Sequence, residues 1–175
     1  MKNNSKFQLF VVIPTLLMPA FSFGQPTEVA KPLSQLKSYW HDTRIDFFET
    51  ATDMGQHAAT EVFSYHFSVD IAQINATPIP QTIPLELFWN ESIQDNASVA
   101  TPEVKEQLIK QGYELKATEG YIFTQQAKGT IPLKLFYHPQ LKDYRVVTEH
   151  GGESDARENG YQLIGIEGYV YPPRH

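Results

Sequence analysis

No cysteine occurs among the 175 residues. That excludes disulfides, thiolate nucleophiles and cysteine-linked lipids, so the folded state rests on packing and hydrogen bonds alone. Long apolar runs are missing too. The longest, Leu9 to Met18, spans ten residues and contains Pro14, against the ~20 apolar residues a membrane-spanning helix needs. There is no basic excess: the net charge is −6, which argues against nucleic acid and against insertion into an anionic membrane. Catalytic phrases are absent as well. The chain holds no Gly-x-Ser-x-Gly elbow, no phosphate-cradling glycine loop and no His-Glu-x-x-His, so no catalytic residue and no cofactor are assigned. The six histidines form no His-x-His pair, and no metal site is assigned. The densest set of potential ligands, His150 with Glu153 and Asp155, reads as a solvated loop.

What is present begins with an export signal. Lys2 and Lys6 precede the short apolar run, and the small residues Ser22 and Gly24 follow it. This predicts a signal peptide over residues 1–24, cleaved after Gly24, and a periplasmic or secreted protein. Cleavage removes two lysines and no acid, leaving 12 basic against 20 acidic side chains, a net charge of −8. Residues 25–35 read as a flexible lead-in.

The remaining chain repeats itself. QGYELKATEGYIF at 111–123 returns as NGYQLIGIEGYVY at 159–171, 48 residues later. Ile83-Pro84-Leu85-Glu86-Leu87-Phe88-Trp89-Asn90 is matched at the same offset by Ile131-Pro132-Leu133-Lys134-Leu135-Phe136-Tyr137-His138, and Asp95 by Asp143. An eroded copy precedes both, with Leu36 to His41 opposite Leu85 to Asn90 and Asp46 opposite Asp95. Three repeats follow, at 36–82, 83–130 and 131–175, in one domain.

Each copy carries four strand signals. In the second they are Leu85–Trp89, Ala97–Ala100, Tyr113–Lys116 and Tyr121–Thr124. A short helix is predicted after Thr101-Pro102 and closed by Gly112; in the last copy any helix is delayed to Glu153 through Glu158. No unit of this size buries its apolar face alone. The predicted architecture is therefore all-β and β-trefoil-like, a six-stranded barrel with hairpin caps and twelve strands in all. A small α+β domain is the alternative.

The phrase Gly160-Tyr161-Gln162-Leu163-Ile164-Gly165-Ile166-Glu167-Gly168-Tyr169-Val170-Tyr171 closely resembles the closing half of secreted bacterial and fungal tandem modules of the DUF5648 type, which are also appended to some cell-wall lysozymes. Ile131 to His138 is similar to their opening half, and Asp46-Phe47-Phe48-Glu49-Thr50 to their middle phrase. The resemblance implies a non-catalytic secreted repeat domain that binds carbohydrate. It departs at the residue after the aspartate, where the family's histidine is replaced by Phe47, Asn96 and Tyr144.

Carbohydrate binding calls for aromatic faces beside hydroxyl-pairing carboxylates or amides. The copies offer Tyr39, Trp40 and Asp46; Phe88, Trp89 and Asp95; and Phe136, Tyr137 and Asp143. Strand alternation puts Trp40, Trp89 and Tyr137 toward the core and leaves Phe88 and Phe136 as the more exposed aromatics. The aspartates read either as sugar-orienting groups or as turn residues bonding their own backbone. The expected partner is a glycan or envelope polysaccharide. The rival is a protein, as for an inhibitor-like trefoil, met by the loop from His150 to Asn159.

Overall fold

The computed structural model describes residues 32–174. The signal peptide expected over residues 1–24, and the lead-in as far as residue 31, lie outside the described residues. Leu33, Ser34 and Gln35, placed by sequence in the lead-in, belong to the first strand.

Three segments share one order of elements. The first holds β1 (Leu33–His41), β2 (Asp46–Thr50), α1 (Asp53–His57), a π-helical turn (Ala58–Val62) and β3 (His66–Asn75). The second holds β4 (Thr82–Asn90), β5 (Asp95–Val99), α2 (Pro102–Lys110) and β6 (Glu114–Phe123). The third holds β7 (Ile131–His138), β8 (Asp143–Val147), α3 (Glu153–Glu158) and β9 (Gln162–Val170). All nine strands form one open antiparallel sheet. In each segment the first strand pairs by a hairpin with the second and, along its other edge, with the third. Segments meet through single pairs, Asn75 with Tyr121 and Phe123 with Tyr169. An isolated bridge joins Gln73 to Tyr171.

Nine strands stand where the sequence predicts twelve. The stretches read as separate third and fourth strands of the second copy are one strand, β6, with two register shifts. A bulge bends a strand and keeps it in the ladder, so the glycine-bearing phrase does not end it. The pairing gives an open sheet where the repeat predicts a six-stranded barrel.

The shifts fall at matching places, after Leu36 and Ser38, after Leu85 and Leu87, and after Leu133 and Leu135. On the partner strands they leave Ile71, Glu119 and Glu167 unpaired at the first position, and Ser68, Lys116 and Ile164 at the second. The extra residues lie on the partner strands, so alternation along β4 is kept: Leu87 and Trp89 pack in one apolar cluster and Phe88 in another. Both faces are covered there, and Phe88 and Phe136 are interior residues.

Leu36, Leu85 and Leu133 are fully buried in one cluster with Ile71, Ile74 and Ile122. Each faces a small residue across the ladder, Ala72, Gly120 or Gly168. At Gly168 a side chain has no room: a Cβ would lie 2.6 Å from the Phe123 carbonyl. The helices follow their local signals in two segments. α2 starts at Pro102 behind Thr101, and α3 occupies the span predicted for it. α1, which the eroded first copy conceals, is capped by Thr52, whose hydroxyl accepts from Gly55 N.

Candidate functional site

Each segment's hairpin delivers an aspartate at the first position of its short strand. The turns are alike. Ile45, Gln94 and Lys142, just before the aspartates, adopt φ of 55°, 55° and 59°. The residue ending the preceding strand pins each turn: His41 Nδ1 accepts from Thr43 N and Arg44 N, Asn90 Oδ1 from Ser92 N, and His138 Nδ1 from Leu141 N. The chain can then turn Asp46, Asp95 and Asp143 inward. All three are buried, and one oxygen of each lies within 4.8 Å of the other two. Tyr65, Tyr113 and Tyr161 each donate a hydroxyl hydrogen bond to Oδ2 of the aspartate in their own segment. The three Oδ1 atoms are enclosed without a partner. Burial pushes all three carboxyls above the ordinary range. At Asp95 and Asp143 the neighbouring carboxylates add to it, whereas Tyr65 and Arg44 partly offset it at Asp46.

A second buried polar layer lies beyond. Glu49 Oε1 accepts from Ser38 Oγ at 3.0 Å, and Arg145 Nε sits 3.8 Å from the same oxygen. The Arg145 guanidinium stacks over the Phe47 ring at 3.3 Å and reaches Asp155 at 2.8 Å. Segments are also tied by the bulged glutamates. Glu119 takes Ala51 N at 2.5 Å and Thr52 N at 3.1 Å, and Glu167 takes Ala100 N at 2.5 Å and Thr101 N at 2.7 Å. At the third junction Ile71 stands in the glutamate's place. There Thr148 Oγ1 donates to the Ile71 carbonyl, and Gly151 lies so close that a Cβ would be 2.6 Å from Ile71 Cα.

A surface cleft of 510 Å³ opens between the first and third segments. Trp40, Phe47 and Tyr161 line it with Ser68, His138, Asp155 and Asn159. Trp40 is half-buried, its ring tilted on Phe47 at a centroid distance of 4.5 Å and its Nε1 donating to Asp42 at 2.7 Å. A second, apolar groove of 230 Å³ runs between Phe48, Met54, Phe63, Leu87 and Trp89.

The residues singled out by sequence therefore divide. Asp46, Asp95 and Asp143, read as surface or turn groups, converge in the interior. Of the aromatics, Trp40 alone lines the large cleft; Tyr39, Phe88, Trp89 and Phe136 are buried, and half-buried Tyr137 leans on Tyr144 at 4.5 Å. His150, Glu153 and Asp155 line one opening, but their carboxylates are taken by cations: Glu153 binds Lys134 and Arg157, and Asp155 binds Arg145. The tyrosines at 65, 113 and 161 were missed as partners of the aspartates. Their signal was recurrence, because Asp and Tyr persist even in the eroded first copy.

The model of a family described as a domain of unknown function, DUF5648, matches residues 35–171. The chain belongs to the DUF5648 family. No curated protein and no solved structure matches it. The DUF5648 span runs from within β1 to just past β9, so the aspartate–tyrosine centre and the cleft are both parts of the family domain.

Proposed function

We propose that the chain is an exported, non-catalytic binding module whose large cleft takes a carbohydrate of the cell envelope. The observation that carries this reading is the cleft's lining, in which Trp40 shares one opening with the carboxylate of Asp155, the amide of Asn159 and the imidazole of His138. Sugars present C–H faces that lie on an indole and hydroxyl pairs that planar polar groups bind. The three segments act as equivalent sectors about one pseudo-threefold axis, trefoil-like in plan. The cyclic order of the joining pairs, 75 with 121, 123 with 169 and 171 with 73, supports that arrangement. A single cleft of this size fits an oligosaccharide of a few rings, and weak single contacts gain on a polymer through effective concentration.

Titration calorimetry against soluble peptidoglycan fragments and β-linked glucans gives the test. Binding is expected for one of these classes, weakened at least about tenfold in Trp40→Ala, on the scale of a lost aromatic anchor. A full panel without heat, or a Trp40→Ala chain that binds as the parent does, rejects the reading. A protein partner finds some support in the apolar groove, where Met54 is 81% exposed.

A further inference from the structure

The aspartate–tyrosine centre is overbuilt for a purely structural role. Three carboxylates from three distant stretches of sequence meet inside the protein with little positive charge to balance them. Arg44 faces Asp46 alone, and Arg145 is engaged with Glu49, Asp155 and the Phe47 ring. Each carboxylate uses one oxygen to accept from a tyrosine and leaves the other enclosed with nothing to bind. Buried polar atoms without partners are rare, because the lost hydration is not returned. Three of them at equivalent atoms of three equivalent residues make a convergent set of oxygen donors.

We propose that Asp46, Asp95 and Asp143 together bind one divalent cation, Ca²⁺ in preference to Mg²⁺. Three points of chemistry converge on this assignment. The donor set is carboxylate oxygen only, which selects hard cations over those that favour imidazole or thiolate. The three oxygens lie within 4.8 Å of one another, close enough for one ion to bridge them all. Their burial favours Ca²⁺, because Mg²⁺ dehydrates reluctantly and keeps several waters. The tyrosines act as the outer layer that holds ligating carboxylates in place, each fixing Oδ2 so that Oδ1 stays free.

The site also has a way in. An opening of 220 Å³ reaches Asp46 and Asp95 between Arg44, Ile45, Ile93, Gln94 and Leu141, which belong to the three hairpin turns. Water entering there would complete the coordination sphere that three carboxylate oxygens leave short. Because the ligands come one from each segment, the bound ion would link all three at the point where their short strands meet. The inference stands apart from the carbohydrate cleft, which shares none of the three aspartates.

Two probes suffice, Tb³⁺ and Ca²⁺, each added alone to the chain after treatment with chelator. Tb³⁺ emission excited through the tyrosines is expected to rise many-fold and to be displaced by Ca²⁺. At a hundredfold excess over its dissociation constant, Ca²⁺ is expected to raise the melting temperature by roughly 5–10 °C. The double variant D95N/D143N should lose both responses while keeping its β-sheet circular dichroism. Should that variant not fold, Tyr113→Phe keeps all three carboxylates and is expected to weaken Tb³⁺ binding about 10–100-fold. Absence of both responses in the parent chain overturns the proposal and marks the centre as a proton-sharing cluster. A Ca²⁺ response that persists in D95N/D143N, or Tb³⁺ affinity unchanged in Tyr113→Phe, overturns it equally.

Discussion

Glu167→Ala is expected to lower the unfolding free energy by about 3 kcal/mol and the melting temperature by roughly 6–12 °C. The effect comes from what the side chain holds. As a bulged residue, Glu167 has left the β7–β9 ladder, and its carboxylate reaches across to the second segment. There it receives Ala100 N, Thr101 N and the Thr101 hydroxyl, at 2.5, 2.7 and 3.2 Å. Truncation leaves the buried Ala100 amide without an acceptor, at about 1–3 kcal/mol, and opens a void where the carboxylate lay. Thr101 also leads into α2, so the start of that helix loosens with it. Glu119→Ala should cost a similar amount, because Glu119 binds Ala51 and Thr52 in the same way. Glu167→Gln keeps the shape and one acceptor oxygen, and should recover part of the loss. Urea unfolding of the three variants measures all of this. A change below about 1 kcal/mol for Glu167→Ala, the range of an ordinary surface substitution, would remove the interlocking role assigned here.

The glutamates show how much of this fold the sequence discloses. The phrase Glu-Gly-Tyr was visible as a repeat, and the structure uses its glycine for close approach, a Cβ on Gly168 falling 2.6 Å from the Phe123 carbonyl. That the glutamate beside it would turn out of the strand was not legible, because a bulge leaves no compositional mark and strands are read by strict alternation. Phe88 and Phe136 are interior because both faces of their strands are covered, a matter of how the segments pack that alternation alone does not reveal. Local signals fared better. Thr101-Pro102 and the late start at Glu153 placed α2 and α3, since a helix start such as Pro102 in the first turn is set within a few residues. The aspartates were found by their recurrence, but their convergence depends on how three segments assemble, a long-range fact that no single window of sequence contains. Within the carbohydrate sets, Trp40 reached the cleft because its neighbours there, His138, Asp155 and Asn159, come from the third segment.

Arg145 and Glu49 form the pair whose removal is expected to matter most. Arg145→Ala should cost about 3–5 kcal/mol, because it empties a large, fully buried volume over Phe47 and strips Asp155 of its donor. The guanidinium is 1% exposed, fills the space over Phe47, and is the buried cation nearest Glu49. Glu49 behaves differently. Burial raises its carboxyl from 4.5 to about 8, and Arg145 at 3.8 Å together with Ser38 offsets only part of that. The sign follows from which state holds the proton. The folded chain binds it more tightly than the unfolded chain, so Glu49 contributes fully below pH 4.5, and that contribution is lost as pH climbs to about 8. Linkage puts the loss on the order of 4 kcal/mol. Asp46, Asp95 and Asp143 face the same interior, and their raised carboxyls add a slope of the same sign. They are unchanged in Glu49→Gln, so the difference between parent and variant isolates Glu49. In chelator, the two chains should be about equally stable at pH 5, and the variant should be the more stable at pH 8.5. Urea unfolding across that range reads the difference. Parallel curves would mean that Glu49 is ionised throughout and that its contact with Arg145 is a full ion pair.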